Sequence, residues 1–202
     1  MNQQIFDKKE RKYPMQPQPI PYLTEEEYLE LERNSETKNE YFDGEIFAMA
    51  GASRKHNLIV ANVVGEIRSQ LKKKPCRVYP SDMRLKIEST KLYTYPDAMI
   101  VCGKEIFDGD KEDMLLNPDV IIEVLSDSTE SYDRGRKFSH YRQIASLKEY
   151  ILISQDIRKI EKYSRTEHRH WTWEDTDEEH PEIILESVGC SLHTDEVYDK
   201  VF

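Results

Sequence analysis

The run Val120-Ile121-Ile122-Glu123-Val124-Leu125 constrains this chain more than any other segment. Valine and isoleucine favour extended backbone, and an apolar run of strand length predicts a central strand covered on both faces. Glu123 interrupts the run, on the strand face it shares with Ile121 and Leu125. An ionised carboxylate in such a place is costly unless it meets a cation or a metal ion. Two explanations stay open at this point. Either Glu123 is absorbed by an ion pair or an edge position, or it projects from the sheet as a metal ligand.

The flanking segments supply the rest of an α/β domain. Thr24 with Glu27 three residues on forms a capping box, which predicts a short helix over 25–33 with Tyr28 and Leu31 on one side. Asp43-Gly44 between two apolar arms predicts a hairpin over 39–49. Leu58, Ile59, Val63, Ile67 and Leu71 keep helical spacing, and Lys72-Lys73-Lys74 before Pro75 ends that helix. Strands are expected over 77–80, 83–88 and 95–102. The second should have one wet face, because Arg84, Lys86 and Glu88 alternate with Met83, Leu85 and Ile87. A polar loop over 103–117 precedes the Glu123 strand, and a second helix is predicted over 132–144. Strands follow over 149–153 and 159–164, the latter paired with a strand that carries Trp171 and Trp173. Both indoles then share one face, which suits core or interface packing better than base stacking. Short apolar runs over 183–185 and 190–192 and a brief helix near Asp195 close the chain. The order predicts a mixed α/β (α+β) fold with one central twisted sheet flanked by helices.

Composition narrows the class. A length of 202 residues suits one domain over 23–202, and Pro14, Pro17, Pro19 and Pro21 predict a flexible arm over 1–22. The N-terminus has no apolar signal segment, and no apolar run approaches the ~20 residues of a membrane span, so the expected location is the cytoplasm. The formal charge of −10 counts against a general nucleic-acid coating protein. It leaves room for an enzyme that gathers positive charge in one cleft and offsets its own carboxylates with metal. Cys76, Cys102 and Cys190 are odd in number and lack CxxC spacing, so neither structural zinc nor a disulfide framework is expected. They are expected to be small buried hydrophobes.

A second acid, Asp97, follows Pro96 at the head of the apolar stretch Ala98-Met99-Ile100-Val101. It either starts a strand or joins Glu123 at a shared sheet edge. Two carboxylates converging there suit Mg²⁺ or Mn²⁺, which keep several waters. Such an ion assists phosphodiester hydrolysis by Lewis acidity and charge neutralisation. A cation is normally needed as well, and Lys137 stands on the following helix four residues before Tyr141, on the same face. Secondary candidates are Glu45 as an extra ligand, His56 as a base, phosphate contact or helix cap, and Asp82 as a site or turn residue. No GxSxG or glycine-rich phosphate loop is present, which counts against a serine hydrolase.

The ordered set Tyr95-Pro96-Asp97, Ile122-Glu123-Val124-Leu125-Ser126, Tyr132-Asp133-Arg134-Gly135-Arg136-Lys137-Phe138 and Tyr141 resembles the Uma-two family of restriction endonucleases, within the PD-(D/E)xK nuclease superfamily. Asp43-Gly44-Glu45-Ile46 and His56 match its opening pattern, so the likeness spans residues 24–163. It implies a restriction-endonuclease-like sheet flanked by helices, with Asp97 and Glu123 as metal-binding acids and a Mg²⁺-dependent attack on DNA. Leu125 stands where the superfamily pattern has lysine, and the resemblance implies that Lys137 supplies that amine from the next helix. A homodimer is expected, since acting on both strands of a duplex favours two-fold symmetry. The alternative is a nuclease fold kept as a binding or assembly module without turnover.

Overall fold

A computed structural model describes residues 22–167 and 170–202. Tyr22 apart, the arm expected over 1–22 lies outside the described residues. The capping box forms: the Thr24 hydroxyl accepts from the Glu27 N–H at 3.2 Å and the Glu27 carboxylate from the Thr24 N–H at 2.8 Å, opening α1 (Glu25–Asn34). β1 (Asn39–Phe42) and β2 (Glu45–Ala48) make the hairpin. Its two turn residues, Asp43 and Gly44, have φ of 46° and 89°, the left-handed values that Asp-Gly tolerates. Ser53 caps α2 (Arg54–Leu71), which buries Ile59, Val63, Ile67 and Leu71 along one stripe.

Then come β3 (Cys76–Pro80), β4 (Arg84–Ile87), β5 (Leu92–Thr94), β6 (Ala98–Cys102), β7 (Met114–Leu115) and β8 (Val120–Leu125). The second predicted helix is split into α3 (Glu130–Tyr132), a π-helical turn (Asp133–Lys137) and α4 (Phe138–Tyr141). β9 (Glu149–Ser154), β10 (Ile160–Arg165), β11 (Trp171–Asp175), β12 (Glu182–Leu185), β13 (Cys190–His193) and α5 (Thr194–Val197) complete the order. Among the described residues no helix is long and apolar enough to cross a membrane.

The strands form three sheets where one was expected. The orders are β11-β10-β9-β8-β6-β3, β2-β1-β5-β4-β7 and β12-β13. The second sheet depends on β5 and β7, which are too short to show a periodic pattern. β8 and β9 are parallel, joined by the α3–π–α4 crossover, while β6 runs antiparallel to β8. Alternation along β8 divides the core. Val120, Ile122 and Val124 face α2 and the β12–β13 hairpin, while Ile121 and Leu125 face α4 and the five-stranded sheet. Glu123 shares the second face, so it opens into the seam between the two larger sheets.

Four expectations change. The face of β4 expected to be wet is closed at Arg84, which is buried, donates to the Tyr95 hydroxyl at 2.8 Å and lies over the Tyr28 and Tyr95 rings. In α1 Tyr28 is buried together with Glu32, and Leu31 faces solvent. Trp171 packs on Phe138 at 5.2 Å between ring centroids, but Trp173 is 53% exposed on the edge strand and donates to Glu161. Finally, Cys76 and Cys102 form a disulfide, leaving Cys190 free and buried. The β3–β6 register sets these two cysteines directly opposite each other, and only that long-range pairing brings them together.

Candidate active site

The β6–β8 ladder pairs Ala98 with Ile122, Met99 with Ile121 and Ile100 with Val120. One step further along the same register Asp97 faces Glu123. Two bonds tie that step together: the Val124 N–H donates to Asp97 Oδ2 at 2.8 Å, and the Asp97 N–H reaches Glu123 Oε2 at 3.4 Å. Pro96 and Asp97 end the β6–β8 ladder here, so the two acids stand side by side at its margin, Glu123 buried and Asp97 partly exposed.

His56, in the first turn of α2, places Nε2 at 3.1 Å from Asp97 Oδ2. An acceptor at that oxygen requires the proton on Nε2, and the buried Nδ1 has no partner. Oδ2 is therefore occupied by the Val124 amide and His56. Asp97 Oδ1 takes part in no hydrogen bond among the described residues.

The π-helical turn delivers the cation. One extra residue in the turn widens it, a form often found at functional sites. Both Asp133 and Lys137 point inward and are buried, and the widened turn leaves the Asp133 carbonyl to accept from the Tyr150 hydroxyl at 3.1 Å. Lys137 Nζ lies 2.9 Å from Glu123, 3.3 Å from Glu40 and 3.5 Å from Asp133, with only 6% of the side chain exposed. Tyr141 donates to Glu123 Oε1 at 2.6 Å. Glu40, from β1 of the five-stranded sheet, also accepts from the Thr94 hydroxyl and from Tyr132 at 3.4 Å. The cluster thus bridges the two larger sheets.

Charge does not balance here. Four carboxylates (Asp97, Glu123, Glu40 and Asp133) surround one lysine and one imidazole. Burial pushes the Glu123 carboxyl up to about 8; the Lys137 charge opposes this, while Asp133 and Asp97 add to it. Asp133 rises for the same first reason. Burial works against the charge on Lys137, but Glu123, Tyr141, Glu40 and Asp133 outweigh it and hold the ammonium well above its ordinary range. Burial and the neighbouring acids thus favour the protonated form of Glu123, against the pull of Lys137.

The structure brings together Asp97, Glu123, Lys137, His56 and Tyr141. It leaves two candidates elsewhere: Glu45 is exposed at the start of β2, and Asp82, 85% exposed, turns to Lys38 at 2.6 Å. Glu40 and Asp133 were not singled out in the sequence. Asp133 had a signal, lying four residues before Lys137 on one helical face. Glu40 sits in Asn-Glu-Tyr-Phe, where nothing local marks it as buried.

The model of the family described as "Uma2: Putative restriction endonuclease" matches residues 25–194. The chain belongs to the Uma2 family. Two relatives from Synechocystis sp. (strain ATCC 27184 / PCC 6803 / Kazusa) bear the name uncharacterized protein. The chain is 34% identical to slr1290 over 89% of its length and 93% of that protein, and 36% identical to sll1609 over 74% and 84%. The crystal structure of a "putative nuclease belonging to DUF820" from Anabaena variabilis ATCC 29413 shares the fold, with a TM-score of 0.71 at 20% identity, covering 88% of this Uma2 chain and 98% of that one. The nuclease-like mixed α+β architecture expected from the sequence is thereby established.

Among the described residues of this Uma2 protein no group of three or more His, Cys, Asp and Glu is placed to hold a metal ion. The fit to a divalent ion rests instead on the Asp97–Glu123 pair. Mg²⁺ is commonly held by one or two carboxylates plus waters and substrate phosphate, and the unbonded Asp97 Oδ1 and the weakly engaged Glu123 Oε2 are donors of that kind.

Proposed function

We propose that this Uma2 protein is a metal-dependent endonuclease that hydrolyses DNA phosphodiester bonds. The observation that carries this is the cross-strand pair of Asp97 and Glu123 at a ladder margin, with the Lys137 ammonium 2.9 Å from Glu123. Asp97 and Glu123 would hold Mg²⁺ or Mn²⁺. Bound there, such an ion supplies Lewis acidity and charge neutralisation for phosphoryl chemistry.

The chain's own groups set the stage for it. His56 and the Val124 amide fix Asp97 through Oδ2 and leave Oδ1 without a hydrogen bond among the described residues. Tyr141 and Lys137 fix Glu123 through Oε1 and leave Oε2 toward Asp97. Lys137 is the amine able to steady negative charge developing on a phosphate beside the acids. In this proposal the lysine arrives from the crossover helix, and Leu125, where the superfamily pattern has lysine, packs in the core.

The test is cleavage of plasmid and linear DNA with Mg²⁺ or Mn²⁺ by the wild-type protein, Asp97→Asn and Glu123→Gln. Each substitution is expected to reduce cleavage by roughly 10²-fold or more with folding preserved; full activity in both would reject the assignment. A second reading, a binding or assembly module without turnover, draws on the −10 charge. Calorimetric titration with Mn²⁺ separates the two, because only the nuclease requires binding that depends on both carboxylates. Action on both strands would be served by a cytoplasmic homodimer, checked by light scattering of the purified chain.

A further inference from the structure

The outward side of the π turn and α4 differs from the acid cluster behind it. Arg136, the residue before Lys137, is exposed, and its guanidinium lies 4.8 Å from the Phe42 ring centre. His140 meets the same ring at 4.8 Å. One turn on, Arg142 is exposed and lies 5.4 Å over Phe138, which in turn touches Trp171 at 5.2 Å. Arg165 covers Trp171 at 4.9 Å and donates to the Arg142 carbonyl at 2.7 Å. Three rings and their cations therefore run continuously from the β1–β2 hairpin across α4 to β11.

Among the described residues neither Arg136 nor Arg142 makes an ion pair; Arg142 has only a long bond to Ser139 at 3.4 Å. By contrast Arg134, on the same turn, is consumed by Glu130 and Glu161 at 2.7 and 2.6 Å. A guanidinium resting over a ring without a carboxylate partner keeps N–H donors for phosphate oxygens. The strip also meets the site. Arg136 directly precedes Lys137 on the π turn, and Phe42 stands two residues beyond Glu40 on the same face of β1. Glu45 lies across from Phe42 in the hairpin register.

We infer that Arg136 and Arg142, seated on Phe42 and Phe138, form a phosphate-binding strip that holds the DNA backbone beside the Asp97–Glu123–Lys137 cluster. This rests on the nuclease reading and adds to it where the substrate lies. It also reconciles an acidic protein with a polyanionic substrate: attraction is local, on the rim of the cluster, and not a property of the whole surface.

The experiment is fluorescence anisotropy of a labelled duplex with the full-length protein in EDTA, so that binding is read without turnover, over a series of salt concentrations. Compared are the wild type, Arg136→Ala/Arg142→Ala, the charge-keeping Arg136→Lys/Arg142→Lys, and a control pair, Arg68→Ala/Lys72→Ala, at the far end of α2. Duplex binding weakens with salt at about 0.9 log units per log unit for each phosphate neutralised. The double alanine variant is expected to lower that slope by roughly two such contacts and weaken low-salt binding about tenfold or more. The lysine pair should keep the slope, and the control pair should match the wild type. Wild-type affinity and slope in the double alanine variant, with its melting temperature unchanged, would overturn the strip and leave the nuclease reading standing. Failure of the wild type to bind the duplex in EDTA at low salt would also overturn the strip, while the nuclease reading is decided separately by cleavage with Mg²⁺ or Mn²⁺.

Discussion

Among the described residues two lysines are buried among carboxylates, and the two sites are built to opposite ends. Lys162 sits on β10, 3% exposed, within 2.7 Å of Glu186, 2.5 Å of Glu174 and 3.9 Å of Glu149. Lys137 sits on the π turn, 6% exposed, among Glu123, Glu40 and Asp133. Around Lys162 the charges are settled. Glu174 and Glu186 reach water, and Glu149 accepts from the Glu186 and Ser187 amides and the Ser187 hydroxyl. Lys162 also donates to the Ile184 carbonyl, which fastens the β12–β13 hairpin to the sheet. Around Lys137 all three acids are buried, and Asp97 adds a fourth. The first arrangement is a rivet. The second is left short of positive charge.

The comparison breaks first at the lysines. Lys137→Met is expected to reduce DNA cleavage by about 10²–10³-fold. Above neutral pH it should also cost about 3–5 kcal/mol, because its acids stay buried without a counter-ion. Lys162→Met should leave cleavage intact and cost about 1–3 kcal/mol, since amides and water still satisfy its partners. Equal effects on cleavage, measured beside denaturant unfolding curves, would erase the distinction.

The pH dependence sharpens it. Glu123 is raised from its ordinary 4.5 to about 8 by burial, so the folded metal-free protein keeps a proton that the unfolded chain gives up. Stability in EDTA should therefore fall as pH rises from 4.5 toward 8 and level off above, the sign expected when the native state binds more protons. Glu123→Gln should flatten this decline and make the metal-free protein more stable than wild type at pH 8. Glu149, raised by burial to about 6, accounts for decline below that pH, and Asp133 shares in the remainder. Melting temperatures between pH 5 and 9 check the window; a wild-type curve that climbs through it would contradict the buried-acid account.

The smallest effect concerns His56. Because its Nε2 meets Asp97 Oδ2, glutamine can offer a donor from a similar place and alanine cannot. His56→Ala is expected to weaken Mn²⁺ binding by about 10–100-fold, with His56→Gln recovering much of the loss. If both variants titrate like the wild type in calorimetry, His56 has no hand in orienting the acid.

Much of this was legible in the residues. The Thr24 capping box, the Asp43-Gly44 turn and the α2 stripe act through neighbours in sequence, so their patterns predict their structures. Glu123 announced itself because an acid in a β-branched run has to be explained. Asp97 and Lys137 followed from the order of motifs. What escaped was set by distant partners. The disulfide exists only because β3 lies against β6, and Arg84 is buried only because Tyr28 and Tyr95 close over it. Glu40 enters the site only because a second sheet leans on the first, and that sheet needs two strands of three and two residues that carry no pattern of their own. The π turn was hidden as well, since its residues keep helical composition.

The β6–β8 register has a lasting implication. A strand shifted by one residue turns every side chain to the other face. Asp97 and Glu123 share a side only while that alignment is kept, and the apolar pairs behind them, Met99 with Ile121 and Ile100 with Val120, penalise any slippage. The greasy interior thus serves as a ruler for the chemistry at its end. Substitutions within those strands can be tolerated singly, whereas an insertion or deletion between Asp97 and Glu123 on either strand would part the two acids and turn the core residues beside them to the wrong faces.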